Sequence, residues 1–174
     1  HDHEHDHGDD HDHSHDDHNH DHADGHEGHS HSGTDPHAWL DPGNVGPWLG
    51  AIAAALSEAD PENAATYAAN AEEATKAAEQ LEQDIAQQLQ PHAEASFVVF
   101  HDAYGYFTDH FGLKPAIPVS AGDASTPSAA RISALRDQIA ESHAVCAFPE
   151  FVHDPKLLEA AIDGTDTRLG EALD

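Results

Sequence analysis

Histidine and acidic residues alternate at the start of the chain, which begins HDHEHDHGDDHDHSHDDHNHDH. Imidazole and carboxylate groups at this density can bind several divalent metal ions weakly, because each binding event must order the chain and displace protons from histidine. The tract has no apolar side chain large enough for a core, so we expect it to be disordered when no metal is bound. The predicted low-affinity ligands are His1, His3, His5, His7, His11, His13, His15, His18, His20, His22, His26, His29 and His31.

Two isolated histidines outside this tract are candidates for a tighter metal site. His37 lies between two Asp-Pro pairs in DPHAWLDP, and His101 directly follows the apolar run SFVVF. Two neutral imidazoles with one or two further nitrogen or oxygen ligands suit a divalent metal ion. The residues alone also allow His37 to be a turn residue and His101 a helix-start residue. His92, His110, His143 and His153 are interpreted as surface or capping residues.

The elements that must position these histidines follow from apolar periodicity and helix breakers. Apolar residues from Val45 to Leu56 recur at helical spacing, and a second helical pattern starts at Asp60-Pro61 and stops at Pro91. From Ser96 onward, three strands (SFVVF, PAIPV and AVCAF) alternate with three helices. This order predicts an α/β fold with a parallel sheet covered by helices.

In a parallel sheet, ligands bind beyond the carboxyl ends of the strands. His101 follows one predicted strand, and Glu150 comes two residues after AVCAF, so we expect both side chains to face one crevice. A catalytic pairing of His101 with Asp102 is disfavoured, because sequence neighbours at a helix start do not face each other and no GxSxG motif accompanies them.

Charge and cysteine content exclude several classes of function. The net charge is −28, from 34 acidic and 6 basic residues, which argues against a nucleic-acid partner because phosphate binding depends on lysine and arginine. A single cysteine, Cys146, excludes an internal disulfide and a zinc site built on several thiolates. Cys146 is interpreted as a small buried apolar residue, or as half of a disulfide whose partner lies outside this sequence. The chain starts with His and shows no signal peptide, which we interpret as a fragment or a processed product.

At DPHAWLDPGNV, DPENAATYAANA, FHDAYGYF, FPEF and GTDTRLGEALD, the chain resembles the ZnuA-type zinc-binding proteins of bacterial ABC importers. The resemblance implies two α/β lobes joined by a long helix, with Zn²⁺ between the lobes and an acidic His-rich loop nearby. It implies that His37 and His101 are zinc ligands and that a further His ligand lies upstream. Asp174 matches a region where some relatives supply a carboxylate ligand, and the family often pairs a cysteine at the position of Cys146 with one near the C-terminus.

This resemblance defines the expected organisation of the chain. Residues 1–34 form the His/Asp-rich loop, residues 35–60 a linker motif and helix, residues 61–90 the long backbone helix, and residues 91–174 a C-terminal lobe that is incomplete at its end.

The expected function is capture of Zn²⁺ in the periplasm and its delivery to the permease of an ABC transporter, by a monomer that performs no catalysis. The alternatives are a manganese or iron solute-binding protein of the same fold, and a standalone His-rich zinc buffer or metallochaperone. A metal-dependent hydrolase is the least favoured. Manganese prefers oxygen ligands, whereas the candidate ligands here are mainly imidazoles.

Overall fold

A computed structural model describes residues 34–120 and 127–173, which lie within one compact unit that spans residues 31–174. The predicted His-rich loop, apart from Thr34, and the candidate ligand Asp174 lie outside the described residues.

Two consecutive helices form the first part of this unit. Helix α1 spans Val45–Ala59 and helix α2 spans Ala64–Leu89, and the two pack against each other. The chain turns between them at Asp60, whose side chain accepts hydrogen bonds from Asn63 and from the Tyr67 hydroxyl, both at Oδ2. Pro61 starts a single 3-10 turn before α2, and a second 3-10 turn, Gln90–His92, follows it. The long helix therefore lies within the segment 61–90 predicted for it.

A four-stranded parallel sheet forms the centre of the second part. The strands are β1 (Phe97–His101), β2 (Ile117–Ser120), β3 (Cys146–Phe148) and β4 (Arg168–Leu169), in the order β2-β1-β3-β4. The α/β fold and the three predicted strands are confirmed. The fourth strand was not predicted, because it has only two residues, both exposed, and carries no apolar run.

Three shorter helices connect these strands: α3 (Gly105–Phe111), α4 (Ala129–Glu141) and α5 (Lys156–Ile162). Helix α3 ends at Gly112, which adopts a left-handed conformation (φ 63°) that favours glycine. The N-cap of helix α4 is Ser128, whose hydroxyl accepts a hydrogen bond from the Arg131 amide. This hydroxyl satisfies one of the amide groups that the first helical turn leaves unpaired.

The hydrophobic core lies between the sheet and helices α4 and α5. Val98 and Ala147 from the sheet pack with Leu135, Ile139 and Leu158 from the helices, and all five are fully buried. By contrast, α1 and α2 contribute no buried residue. The core thus stabilises the sheet whose carboxyl edge carries His101. In the part of the chain that the structure describes, no helix is both long and apolar enough to span a membrane.

Candidate metal centre

The fold brings His37 and His101 together, although 64 positions separate them in the sequence. Their ring centroids lie 5.4 Å apart, with the ring planes inclined at 59°. His101 is the last residue of β1, at the carboxyl edge of the sheet, where it pairs in register with Ser120 of β2. His37 precedes the 3-10 turn Ala38–Leu40. The two candidate ligands therefore come from separate segments and lie side by side.

Each of these histidines is hydrogen-bonded to a carboxylate through the same ring atom. The Nδ1 atom of His37 lies 2.7 Å from Oδ1 of Asp35, and the same oxygen accepts the His37 backbone amide at 2.9 Å. The Nδ1 atom of His101 lies 2.5 Å from Oε1 of Glu150. Because an ionised carboxylate can only accept, Nδ1 donates in both pairs. In the neutral imidazole the lone pair is then on Nε2, which is the form of histidine that binds metals.

Glu150 is the most enclosed charged group of this site. It is only 8% exposed and follows β3, where it forms an isolated bridge with Leu173. Its second oxygen lies 3.5 Å from Nε2 of His153, and the His153 ring stacks on Phe100 with centroids 4.2 Å apart. His101 and Glu150 were expected to face one crevice, and the structure places them in direct hydrogen-bond contact.

Tyr104 completes the surroundings of His101, with ring centroids 6.3 Å apart. Burial of the phenol, and secondly the negative charge of Glu150, raise the pKa of Tyr104 to about 12. The phenol is therefore neutral at physiological pH, and it adds no negative charge to the pair of histidines.

Sequence reasoning missed the carboxylate that holds His37 and misjudged two other histidines. The carboxylate of Asp35 was treated only as part of a turn, yet its position two residues before His37 is the pattern of a local side-chain cap. His110 and His153 were interpreted as surface or capping residues, and this was wrong, since their side chains are only 22% and 23% exposed and both contact carboxylates. His92 and His143 are exposed, as interpreted.

The described residues supply a pair of candidate ligands rather than a complete metal shell. Among residues 34–120 and 127–173, no three His, Cys, Asp or Glu side chains are grouped closely enough to hold a metal ion. The other predicted ligands, Asp174 and the histidines of the His-rich loop, lie outside these ranges. Cys146 is half-buried in β3 and is not part of this site.

Known proteins share both the sequence and the fold of this chain. The family model described as zinc-uptake complex component A, periplasmic (ZnuA), matches residues 1–173. The high-affinity zinc uptake system protein ZnuA of Paracoccus denitrificans is 61% identical over 143 residues, which are 82% of this chain and 44% of that protein.

Among solved structures, a crystal structure of ZnuA superposes with a TM-score of 0.73 at 34% identity, and the match covers 80% of this chain and 54% of that one. A ZnuA deletion mutant with zinc bound matches with a TM-score of 0.69 at 32% identity, over 79% of this chain and 52% of that one. The chain thus spans about half the length of the relatives that it matches.

Proposed function

We propose that this chain, which belongs to the family of periplasmic zinc-uptake components called ZnuA, is the part of a solute-binding protein that holds half of a zinc site. The intact protein captures Zn²⁺ in the periplasm and delivers it to the membrane permease of an ABC importer. The ion is cargo, and no bond of a substrate is made or broken. The observation that carries the proposal is the pair His37 and His101, each hydrogen-bonded at Nδ1 by a carboxylate.

The spacing of the two rings supports shared coordination of one ion. Zinc binds imidazole nitrogen at about 2.0–2.1 Å in tetrahedral geometry, which places the centres of two ligand rings about 5 Å apart. The observed separation of 5.4 Å is close to this value. This separation is compatible with two rings that share one ion, and the carboxylates of Asp35 and Glu150 keep both rings in the tautomer that binds metals through Nε2.

The remaining ligands of the proposed shell come from outside the described residues. The family resemblance implies a further histidine ligand upstream of the His-rich loop, and Asp174 is a candidate carboxylate. The histidines of the His-rich loop bind additional ions weakly. A shell assembled from separate segments permits both tight binding and release, because movement of one segment removes its ligand.

The nature of the donors favours zinc over manganese, because manganese prefers oxygen ligands and both ligands proposed here are imidazoles. A standalone His-rich buffer is less well supported, since a buffer that depends only on the loop has no use for two histidines held by carboxylates in the folded part.

The test is the zinc affinity of intact protein in which one histidine is replaced. We expect His37→Ala and His101→Ala each to weaken zinc binding by at least about a hundredfold, since loss of a residue that only orients a ligand already costs about 10- to 100-fold. The measurement is a competition titration against a chromogenic chelator. His92→Ala is the matched control, because His92 is exposed on the same lobe. An unchanged affinity in His101→Ala, with the protein folded, would show that the assignment is wrong.

A further inference from the structure

A histidine outside the zinc site is held between two carboxylates from two other segments. His110 of α3 has its Nδ1 atom 2.8 Å from Oδ1 of Asp41 and its Nε2 atom 3.0 Å from Oε1 of Glu82. Asp41 follows the 3-10 turn next to His37, and Glu82 belongs to α2. The three side chains are 22%, 27% and 35% exposed, so the ring is largely removed from water.

The two contacts place a carboxylate oxygen against each ring nitrogen: Nε2 is hydrogen-bonded to Glu82, and Nδ1 lies at ion-pair distance from Asp41. A carboxylate only accepts hydrogen bonds, so a ring that donates to both acids is the imidazolium, the form with two N–H groups. Hydrogen bonds between charged partners are stronger than neutral ones. Asp41 and Glu82 are the charged groups that the structure places against this ring from the segments packed on α3.

These contacts are not arranged as a metal site. The two ring nitrogens face different carboxylates, so a single ion could not bind the ring and both acids. No group of three potential ligands around a common point occurs in the described part of the chain. The arrangement is instead an ionic bridge between elements.

This bridge anchors one end of the segment that carries His37. At Asp41, the same Oδ1 atom that contacts His110 also accepts the Gly43 amide at 2.8 Å. At the other end, the Tyr106 hydroxyl of α3 donates to the backbone oxygen of Asp35 at 3.5 Å. The segment of residues 35–44 is therefore held on α3 at both ends, with His37 between the two contacts.

Close packing at Gly43 supports this role. A Cβ atom at Gly43 would lie 3.0 Å from Oδ1 of Asp41 and 3.5 Å from Cε1 of His110. A side chain there would crowd the carboxylate at the point where it meets the ring. The chain thus leaves space for the Asp41–His110 contact.

We propose that His110, as an imidazolium, clamps Asp41 and Glu82 together and so positions His37 beside His101. The clamp joins α2, the segment of residues 35–44 and α3, which follows the strand that ends at His101. His110 is a positioning residue and does not touch the ion.

The clamp itself is tested without zinc. Ring ¹⁵N NMR of the intact protein at about pH 7 should show both nitrogens of His110 protonated, and a ring with one unprotonated nitrogen would overturn the proposal. His110→Phe should lower Tm by roughly 3 °C, because it keeps a ring at this position and removes both contacts to the carboxylates.

Glu82→Gln provides the matched control for the charge. Gln keeps an acceptor for the Nε2 proton but carries no charge, so His110→Phe should lower Tm less in the Glu82→Gln background than in the unchanged protein. An equal loss of Tm in both backgrounds would refute the clamp, because the effect of His110 would then not come from its pairing with Glu82.

The positioning role rests on the proposed function and has its own measurement. His110→Phe should weaken zinc binding by about tenfold at pH 6 to 7, as expected for a residue that orients a ligand. His37→Ala in parallel separates the two proposals: if it leaves zinc affinity unchanged, the proposed function fails. If His37→Ala weakens binding but His110→Phe does not, the positioning role alone is overturned.

Discussion

Glu150 offers a sharp test of how the carboxylates control the candidate zinc ligands. Its Oε1 atom lies 2.5 Å from Nδ1 of His101, and the residue is only 8% exposed, so the hydrogen bond is shielded from water. In Glu150→Gln the amide oxygen still accepts from Nδ1, while the amide nitrogen can donate toward His153, which lies 3.5 Å from Oε2. The substitution therefore preserves packing and removes only the charge.

The expected size of the effect follows from the strength of the hydrogen bond that changes. A hydrogen bond to a charged group contributes about 1.5–3 kcal/mol and a neutral one about 1 kcal/mol. The difference of about 1.4 kcal/mol corresponds to about a tenfold weaker zinc affinity in Glu150→Gln. Glu150→Ala removes the acceptor altogether, and we expect a loss of about 30- to 100-fold.

The assay is a competition titration with a chelator on the intact protein, with circular dichroism as a check of folding. Glu72→Gln is the control, because Glu72 is a 70% exposed carboxylate that pairs with the exposed Lys76 in α2. If Glu150→Gln and Glu150→Ala both bind zinc within about twofold of the unchanged protein while His101→Ala does not, the carboxylate does not prepare His101 for the ion.

Three further predictions concern the core, Tyr104 and the His-rich loop. Leu135→Ala removes a fully buried side chain and should lower the free energy of unfolding by about 3 kcal/mol in urea titrations, whereas Leu81→Ala, 60% exposed, should lower it far less; similar losses would contradict the assigned core. The pKa of Tyr104 is raised to about 12 by burial and then by Glu150, so its stabilising contribution is complete below about pH 10 and is lost as pH rises toward 12. Tyr104→Phe should therefore reduce the alkaline loss of stability in urea titrations between pH 9 and 12, and an identical pH profile would refute this. Deletion of residues 1–32 from the full-length protein should remove the weak zinc sites and keep the tight site in a zinc titration. Loss of nearly all zinc binding would instead favour a His-rich buffer.

The local sequence was sufficient for most of the elements. Prolines at positions 61 and 91 bound the long helical pattern, and α2 lies between them. The apolar run SFVVF predicted a buried strand, and Val98, Val99 and Phe100 are buried in β1. These features depend on side chains within one turn or one strand, so they can be predicted from the local sequence. Strand β4 was missed because two exposed residues carry no such pattern and are held mainly by pairing with β3.

Some features of the candidate site could likewise be predicted from the sequence, and others could not. The sequence by itself determined that the chain carries imidazole and carboxylate donors, and that His101 and Glu150 follow strands whose carboxyl ends meet at one edge of a sheet. Their shared crevice could be predicted, because the carboxyl ends of parallel strands lie at the same edge of a sheet.

Only the tertiary structure decided which distant groups meet. The 5.4 Å approach of His37 to His101 depends on how the segment of residues 35–44 lies on α3. The bridge from His110 to Asp41 and Glu82 requires three segments to converge on one ring, and nothing in the residues near His110 indicates it. Hydrophobic periodicity indicates which side of an element is buried, but it does not indicate which other segment packs against that side. For a histidine, the group that packs against the ring determines its protonation state and which ring nitrogen can bind a metal ion.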